Sequence, residues 1–242
     1  MNLTAERTVR ELALEIPQAT RVFEKFGIDY CCGGGKSLED ACSAARIDIG
    51  QVFAALQSAS EEDRGHEASP NGSLASLIDY IISKHHRYTR DELARLDPLL
   101  DKVCAAHGER HPELLEVRQQ FRALSQELSV HMMKEERVLF PYIERMEEAF
   151  VEGVPVLPAP FGTVENPVAA MTREHDAAGD FLRTLRALTA GYEPPSDSCL
   201  SYKTLYSALA GFERDLHQHI HLENNILFPR AIEMEAKARL IR

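Results

Sequence analysis

Tryptophan and long apolar runs are both absent from this chain of 242 residues. No apolar segment reaches the roughly 20 residues that a membrane-spanning helix needs, so we expect no membrane span. The first residues lack the apolar core of a signal peptide, which predicts a cytoplasmic protein. Positively charged residues are outnumbered by negatively charged ones, with 27 Lys and Arg against 38 Asp and Glu and a net charge of −11. This balance argues against nucleic acid or an anionic membrane surface as the main partner.

Cysteine is scarce and odd in number, with five residues spread unevenly along the chain. This number does not suit the disulfide framework of a secreted protein, and a reducing compartment fits better. Strand-type alternation of polar and apolar residues is also rare, and the long segments contain few glycines. With an apolar fraction of 44%, typical of a chain with a core, the sequence predicts an all-α protein.

Glycine is concentrated in one place, residues 33–35, directly after Cys31 and Cys32. Three consecutive glycines prevent a helix and place the two cysteines on a loop, which we expect to be exposed. A thiol pair there has two interpretations: small residues used for packing, or a site of redox exchange or iron handling. Short helical signals surround this loop, and a polar stretch follows them. We therefore predict a small helical domain, a linker and a larger domain, at residues 1–58, 59–72 and 73–242.

The pattern H-x-x-x-E-x-x-x-L-F-P occurs twice, beginning at His131 and at His219, 88 residues apart. Residues four apart lie on the same face of a helix, one above the other. Each copy therefore directs an imidazole and a carboxylate, Glu135 or Glu223, towards one point. Two such helices facing each other would surround a common centre with donors suited to a metal ion.

The repeat extends beyond the two motifs. Apolar positions of the last helical segment match those of the second at the same offset of 88, and an offset of 89 relates His175 to His86. Two copies of a helical hairpin predict an antiparallel, up-down-up-down four-helix bundle. Its segments are predicted at residues 74–106, 112–149, 166–190 and 200–238.

Two details of the second and fourth segments are predicted from this pattern. The inward stripe of the second segment includes Val138, by its spacing of three from Glu135. Pro141 and Pro229 follow the motifs, and each removes a helical hydrogen bond. We expect a kink or a helix end just beyond each ligand turn.

Each of the four segments contributes one inward histidine, and two contribute a glutamate as well. A single histidine on an apolar stripe is usually a core residue, but four at matching repeat positions with two carboxylates favour a metal centre. Buried carboxylates are costly unless they are paired or bound to a metal. Imidazole and carboxylate donors without thiolates suit iron or manganese, and six side chains suit two metal ions bridged by the carboxylates. The predicted ligands are His86, His131, Glu135, His175, His219 and Glu223.

Two further histidines bear on this set. His85 is adjacent to His86 and about 100° away around a helix, so it faces a flank. The repeat selects His86, although exchange of the two remains open. His107 lies near the turn between the first two segments and is a candidate additional ligand.

The paired H-x-x-x-E motifs, with single histidines on the other two helices, resemble a hemerythrin-like di-iron bundle. With the Asp-Tyr-Cys-Cys-Gly-Gly-Gly loop at residues 29–35, nearly the entire chain resembles bacterial iron–sulfur cluster repair di-iron proteins. These combine an ScdA-type N-terminal domain with a hemerythrin-like domain. The resemblance implies two non-haem iron ions, oxo-bridged when oxidised, with Glu135 and Glu223 as bridges. It also implies a link to clusters damaged by nitric oxide or peroxide.

Three functions remain open on this basis. The first is a stress-response protein that supplies iron to damaged iron–sulfur proteins, its clients, from a labile centre. The second is an enzyme that reduces nitric oxide, with Cys31 and Cys32 helping to return electrons. The third is a sensor of NO, O2 or redox state, although no output module is recognisable. A homodimer is compatible with each of these.

Overall fold

Helices account for all of the regular secondary structure that is described. The structure is a computed structural model and describes residues 3–16, 18–31, 33–61 and 72–239. Within these ranges there is no β-strand, only two isolated bridges. The prediction of an all-α fold is confirmed, while the order of helix directions in the bundle stays a prediction. No helix in these ranges is long and apolar enough to cross a membrane.

The N-terminal part contains four short helices around its own apolar core. Thr8 caps the first through a capping box with Glu11, and Gly27 ends the second with a left-handed φ of 63°. The fourth helix continues three residues into the segment predicted as a linker, and residues 62–71 of that segment lie outside the described ranges. These helices are α1 (Val9–Glu15), α2 (Ala19–Phe26), α3 (Leu38–Ala45) and α4 (Ile49–Glu61).

Four long helical segments follow, at the positions that the periodicity predicts. Their α-helices are α5 (Leu74–Tyr80), α6 (Arg87–His107), α7 (Glu113–Lys134), α8 (Phe140–Glu152), α9 (Glu165–Leu188), α10 (Leu200–Leu222) and α11 (Phe228–Ala238). α6 packs against α7 and α10, and α7 also packs against α9.

Three of the four segments contain a π-helical turn at the predicted ligands: Ile81–His86, Glu135–Leu139 and Glu223–Leu227. Pro141 and Pro229 stand in the first turn of the α-helix that follows, where a missing N–H costs least. The α-helix is thus interrupted at the glutamate itself, ahead of the proline and not beyond it. Such turns are often found at functional sites.

One residue of the predicted inward stripe faces outward. Val138 is 49% exposed, whereas Leu139 and Phe140 are buried. The π turn alone is not the cause, because Ile226 has the same position in the π turn Glu223–Leu227 and is buried. The prediction for Val138 is therefore wrong.

Two apolar clusters lie along the bundle, on either side of the predicted ligands. One includes Leu93, Phe121 and Phe212, and the other includes Leu74 and Phe228. The histidines and glutamates occupy the layer between them. Both clusters exclude water from that layer, which raises the cost of any uncompensated charge within it.

Candidate metal centre

All six residues that the sequence predicts as ligands come together in the buried layer between the two apolar clusters. They form two groups of four, and within each group one potential ligand atom per residue lies within 4.8 Å of all the others. One group contains His86 and His219, and the other contains His131 and His175. Glu135 and Glu223 belong to both groups. All six side chains are buried.

Each glutamate directs one oxygen towards each group. Glu135 Oε2 lies 3.5 Å from His86 Nε2, and Glu135 Oε1 lies 3.4 Å from His131 Nε2. Glu223 Oε1 lies 3.0 Å from His219 Nε2, and Glu223 Oε2 lies 3.0 Å from His175 Nε2. This is the arrangement that two carboxylates need if they are to bridge neighbouring cations.

The outer nitrogens of three imidazoles are held by acceptors. His86 Nδ1 lies 2.6 Å from Glu136 Oε1, and His131 Nδ1 lies 2.9 Å from Glu174 Oε2. His175 Nδ1 lies 2.8 Å from the amide oxygen of Asn224. Because these oxygens only accept, each Nδ1 carries a proton, and Nε2 is left to present a lone pair to the centre. Metal-bound histidines are oriented in the same way by acceptors behind them.

These inner nitrogens face one another at short distances. His131 Nε2 lies 2.9 Å from His175 Nε2, and His86 Nε2 lies 3.0 Å from His219 Nε2. Two lone pairs at such a distance repel unless a cation, a proton or a metal ion, lies between or beside them. Both oxygens of buried Glu135 also lack a hydrogen-bond partner. The donor set therefore fits a pair of metal ions.

In the absence of metal, protons take the place of the cations. Burial lowers the pKa of His86, but Glu135 and Glu223 outweigh it and raise the pKa to about 10. In the same way the pKa of His131 is raised to about 9, mainly by Glu135. Burial raises the pKa values of both glutamates, but the surrounding imidazoles lower them further, so both carboxyls stay ionised. The centre thus holds two negative charges that need compensation.

Comparison with known families supports this assignment. Residues 77–231 match the family described as the hemerythrin HHE cation-binding domain. The chain belongs to that family. Residues 5–60 match a second family, ScdA_N, described as a domain of unknown function.

Several proteins resemble the chain over nearly its whole length. A probable iron-sulfur cluster repair protein of Haemophilus influenzae is 36% identical over 231 residues, 94% of this chain and 97% of that protein. The iron-sulfur cluster repair protein YtfE of Musicola paradisiaca is 35% identical, covering 96% of this chain and 98% of its own. A YtfE of Yersinia pseudotuberculosis is 36% identical, with 93% and 96% covered. The family predicted from the sequence is confirmed.

Two histidines outside the groups take other roles in this hemerythrin-family bundle. His85 is buried, with Nδ1 3.1 Å from Asp215 Oδ1, and its ring stacks on that of His219. The structure therefore brings His86, and not His85, into the cluster. His107 lies 21 positions after His86 along one helical segment, or about 30 Å at the rise of an α-helix. Its Nε2 instead contacts Cys199 Sγ at 3.1 Å, so His107 does not belong to the cluster.

The cysteine loop lies against the bundle. Cys31 is buried, not exposed as predicted, because the loop docks on the bundle and the side chain joins the apolar cluster of Leu93 and Phe121. Its Sγ lies 3.3 Å from Asp29 Oδ1, and its carbonyl accepts from the Asn224 amide at 3.3 Å. Cys32 lies outside the described residues.

The residues behind the histidines were not predicted from the sequence. Glu136, Glu174 and Asn224 each hold an Nδ1, yet none was predicted to do so. Their positions in the sequence could have identified them. Glu136 and Asn224 directly follow the motif glutamates, and Glu174 directly precedes His175. Polar residues beside predicted ligands on a helix are natural candidates for this role.

A cavity of about 170 Å³ reaches the half of the centre that contains His131 and His175. Glu174, which holds His131, also lines it. A small molecule or an ion in this cavity would contact two of the predicted ligands directly. Its walls are formed by Glu127, Leu128, His131, Ala170, Arg173, Glu174, His175, Ala177 and Ala178.

Proposed function

We propose that the chain holds two iron ions in the buried cluster. His86 and His219 would hold one ion, His131 and His175 the other, and Glu135 and Glu223 would bridge them. The observation that carries this proposal is the sharing of both carboxylates between two four-residue groups. A single metal ion would leave half of these donors without a partner in a water-excluded layer.

Iron is favoured over other metals by the donor types. The described groups contain imidazole and carboxylate only, which suits iron or manganese and disfavours structural zinc and copper(I) sites rich in sulfur. Membership of the hemerythrin HHE cation-binding family supports a bound cation of this class. Iron held there would supply electrons for chemistry with oxygen or nitric oxide.

We further propose that the protein repairs iron–sulfur clusters damaged by nitrosative or oxidative stress, by supplying iron to client proteins in the cytoplasm. The relatives that match over nearly the full length are named iron-sulfur cluster repair proteins, which supports this role. So does the chemistry of the cluster, because each group offers two imidazoles and two shared carboxylates. An ion with so few donors keeps open coordination positions and can be passed to a stronger set of ligands.

The protein's own residues have three tasks in this process. The imidazoles and carboxylates hold the ions, while Glu136, Glu174 and Asn224 keep the Nε2 atoms directed at them. The two apolar clusters exclude water from the layer. Cys31 and Cys32 remain candidates for redox or iron handling, but the burial of Cys31 means that its loop must first move.

Iron transfer to an acceptor tests the repair function. The iron-loaded protein is mixed anaerobically with sulfide and an apo-protein that assembles an iron–sulfur cluster. We expect the cluster to form faster than with the same concentration of free ferrous salt. A rate equal to that of the salt would remove the case for an iron donor.

Reduction of nitric oxide is a second candidate function. Two neighbouring ions would allow two NO molecules to bind side by side, and the cavity at His131 and His175 has room for small gases. The test is to add NO anaerobically to the reduced protein with a continuing electron supply. Several equivalents of nitrous oxide per chain are expected from an enzyme, whereas one or none would exclude catalysis. A sensor of NO, O2 or redox state would instead show a change in domain docking without turnover.

A further inference from the structure

Two consecutive asparagines connect the cysteine loop to the metal centre. Asn225 donates from Nδ2 to the Tyr30 carbonyl at 3.0 Å, and its amide oxygen accepts from Arg10 Nε at 2.6 Å. Asn224 donates from Nδ2 to the Cys31 carbonyl at 3.3 Å. Both belong to the π turn that begins at Glu223. The small domain therefore docks directly on the turn that carries a predicted bridging ligand.

Asn224 makes a second contact that reaches the metal centre itself. Its amide oxygen lies 2.8 Å from His175 Nδ1, while its amide nitrogen serves Cys31. One planar side chain thus joins the backbone of the cysteine loop to a predicted ligand. Any movement of the loop away from the bundle removes one of the two anchors that hold this amide in place.

The internal repeat explains why this position is an amide. The offset of 88 places Asn224 on Glu136, which has the same role towards His86. The second partner of Glu136 is the Arg90 guanidinium at 2.6 Å, a donor that suits a carboxylate. The second partner of Asn224 is a carbonyl oxygen, which needs a donor and would be repelled by a carboxylate. An asparagine at position 224 therefore suits both of its partners, the Cys31 carbonyl of the small domain and the Nδ1 of His175.

The docked loop lies in contact with this turn. A Cβ added at Gly34 would lie 3.5 Å from Asn225 Nδ2, an ordinary van der Waals distance. Asn225 is buried, and its second N–H is directed at His221 Nδ1, 2.8 Å away. The contact is thus a packed interface in which the side-chain amide of Asn225 is fully hydrogen-bonded.

We propose that Asn224 is an interdomain positioning residue that couples docking of the cysteine loop to the His131–His175 half of the metal centre. In the docked state Cys31 is covered and His175 is held in its ligating orientation. Undocking exposes Cys31 and frees the Asn224 amide, so the ion on that side is released more readily. The coupling to metal rests on the proposed function, whereas the docking contact does not.

Four substitutions separate the parts of this proposal, each in a Cys32→Ser background. Asn225→Ala and Arg10→Ala weaken docking without changing a group in contact with a predicted ligand. Asn224→Asp keeps an acceptor for His175 but loses the donor to Cys31. Asn166→Asp is the matched control, because Asn166 also donates from Nδ2 to a backbone carbonyl, that of Phe161, but does so outside the domain contact.

Two rates are measured on each protein. The first is alkylation of Cys31 by iodoacetamide, followed by mass spectrometry of the metal-free chain. The second is loss of ferrous iron to bipyridine from the loaded chain. Circular dichroism establishes that each variant is folded, and Arg10→Ala, which acts from the small-domain side, serves if Asn225→Ala does not fold.

Asn225→Ala and Arg10→Ala should raise both rates. Alkylation should rise by at least about five- to tenfold, the effect of one ordinary hydrogen bond, because Asn225→Ala removes two bonds across the contact. Asn224→Asp should raise the alkylation rate by a similar factor, but the rate of iron loss should stay near that of the wild type. Asn166→Asp should change neither. Unchanged alkylation in all docking variants would overturn the docking contact. Raised alkylation with unchanged iron loss in Asn225→Ala and Arg10→Ala would overturn the coupling. A wild-type chain that binds no iron would refute the proposed function and the coupling, while alkylation would still decide the docking.

Discussion

The two halves of the repeat place the same residue types at the centre but support them differently. In the first half, the Glu136 carboxylate holds His86 and is itself paired with Arg90. In the second, the Asn224 amide holds His175 and is paired with the Cys31 carbonyl. The inner residues must meet the demands of a cation, whereas an outer residue needs only an acceptor for Nδ1. The outer position was thus open to acquire a second role.

The other two predicted histidine ligands, His131 and His219, also differ in their support. Glu174 holds His131. The offset of 89 places His85 at the position of the first half that corresponds to Glu174. His85 bonds to Asp215 and stacks on His219, whose own Nδ1 has no hydrogen-bond partner. In each group of four, a carboxylate therefore holds the Nδ1 of one histidine, and no carboxylate among the described residues holds the Nδ1 of the other.

The largest expected effect comes from removing what both groups share. Glu135→Leu or Glu223→Leu deletes a carboxylate that faces both metal positions, so iron content should fall from about two per chain to below one, with loss of oxo-bridge absorption. Metal analysis and absorption spectra of the purified variants measure this. Exposed Glu148 on the same helical segment provides the control Glu148→Leu. Two irons retained in Glu135→Leu would contradict the ligand assignment.

The metal-free protein should show a pH dependence to which the first half contributes through His86 and His131. There the pKa values of His86 and His131 are raised to about 10 and about 9, whereas burial lowers the pKa of His219. A pKa raised on folding gives stability that is present below the unfolded value of about 6.5 and is lost as pH rises through the folded pKa. The unfolding temperature should therefore decrease between pH 7 and 10.

This decrease should be smaller in Glu135→Gln, because that substitution removes the charge that raises both pKa values. It should also be smaller in the metal-loaded wild type, where metal ions replace the protons. Thermal unfolding followed by circular dichroism at matched ionic strength provides the comparison. Identical pH profiles for the metal-free wild type and Glu135→Gln would show that these histidines do not carry the protons.

A smaller effect is expected from placing an amide at position 136 of the first half, as the second half has at Asn224. Glu136→Gln exchanges a carboxylate for an amide behind His86, and such changes behind a ligand typically cost about 10- to 100-fold in metal affinity. Competition with a coloured chelator measures the affinity. The control is Glu92→Gln, on the helical segment that carries His86. Among the ion pairs described, Glu92 pairs only with Arg95. Equal affinities for both variants would mean that Glu136 does not support a ligand.

The central residues were predictable from sequence because their constraint is local. A ligand pair four residues apart faces one way on a helix, and the repeat identified His86 and His175 without any knowledge of the fold. The supporting contacts are of another kind. Asn224 and Cys31 are 193 positions apart, and nothing in their local sequence indicates that the two domains meet there.

The main error within the bundle lies in a π turn. Spacings of three and four describe an α-helix, and the letters of the motif do not show where a π turn occurs. The predicted stripe is buried before this turn, as at Phe121, and after it, at Tyr142. Val138 is the position at which the prediction fails, although Ile226, its counterpart in the second π turn, is buried.

The smallest expected effect tests this difference between the halves at one repeat position. Val138 and Ile226 are related by the offset of 88, yet Val138 is 49% exposed and Ile226 only 6%. Ile226→Val removes one buried methylene and should lower the free energy of unfolding by about 0.5–1.5 kcal/mol. Val138→Ala removes two methyl groups from a half-exposed site and should stay within about 0.5 kcal/mol of wild type. Denaturant titration of the metal-free proteins measures both values. Equal losses would mean that Val138 is packed as well as Ile226, because only burial makes the smaller deletion the costlier one.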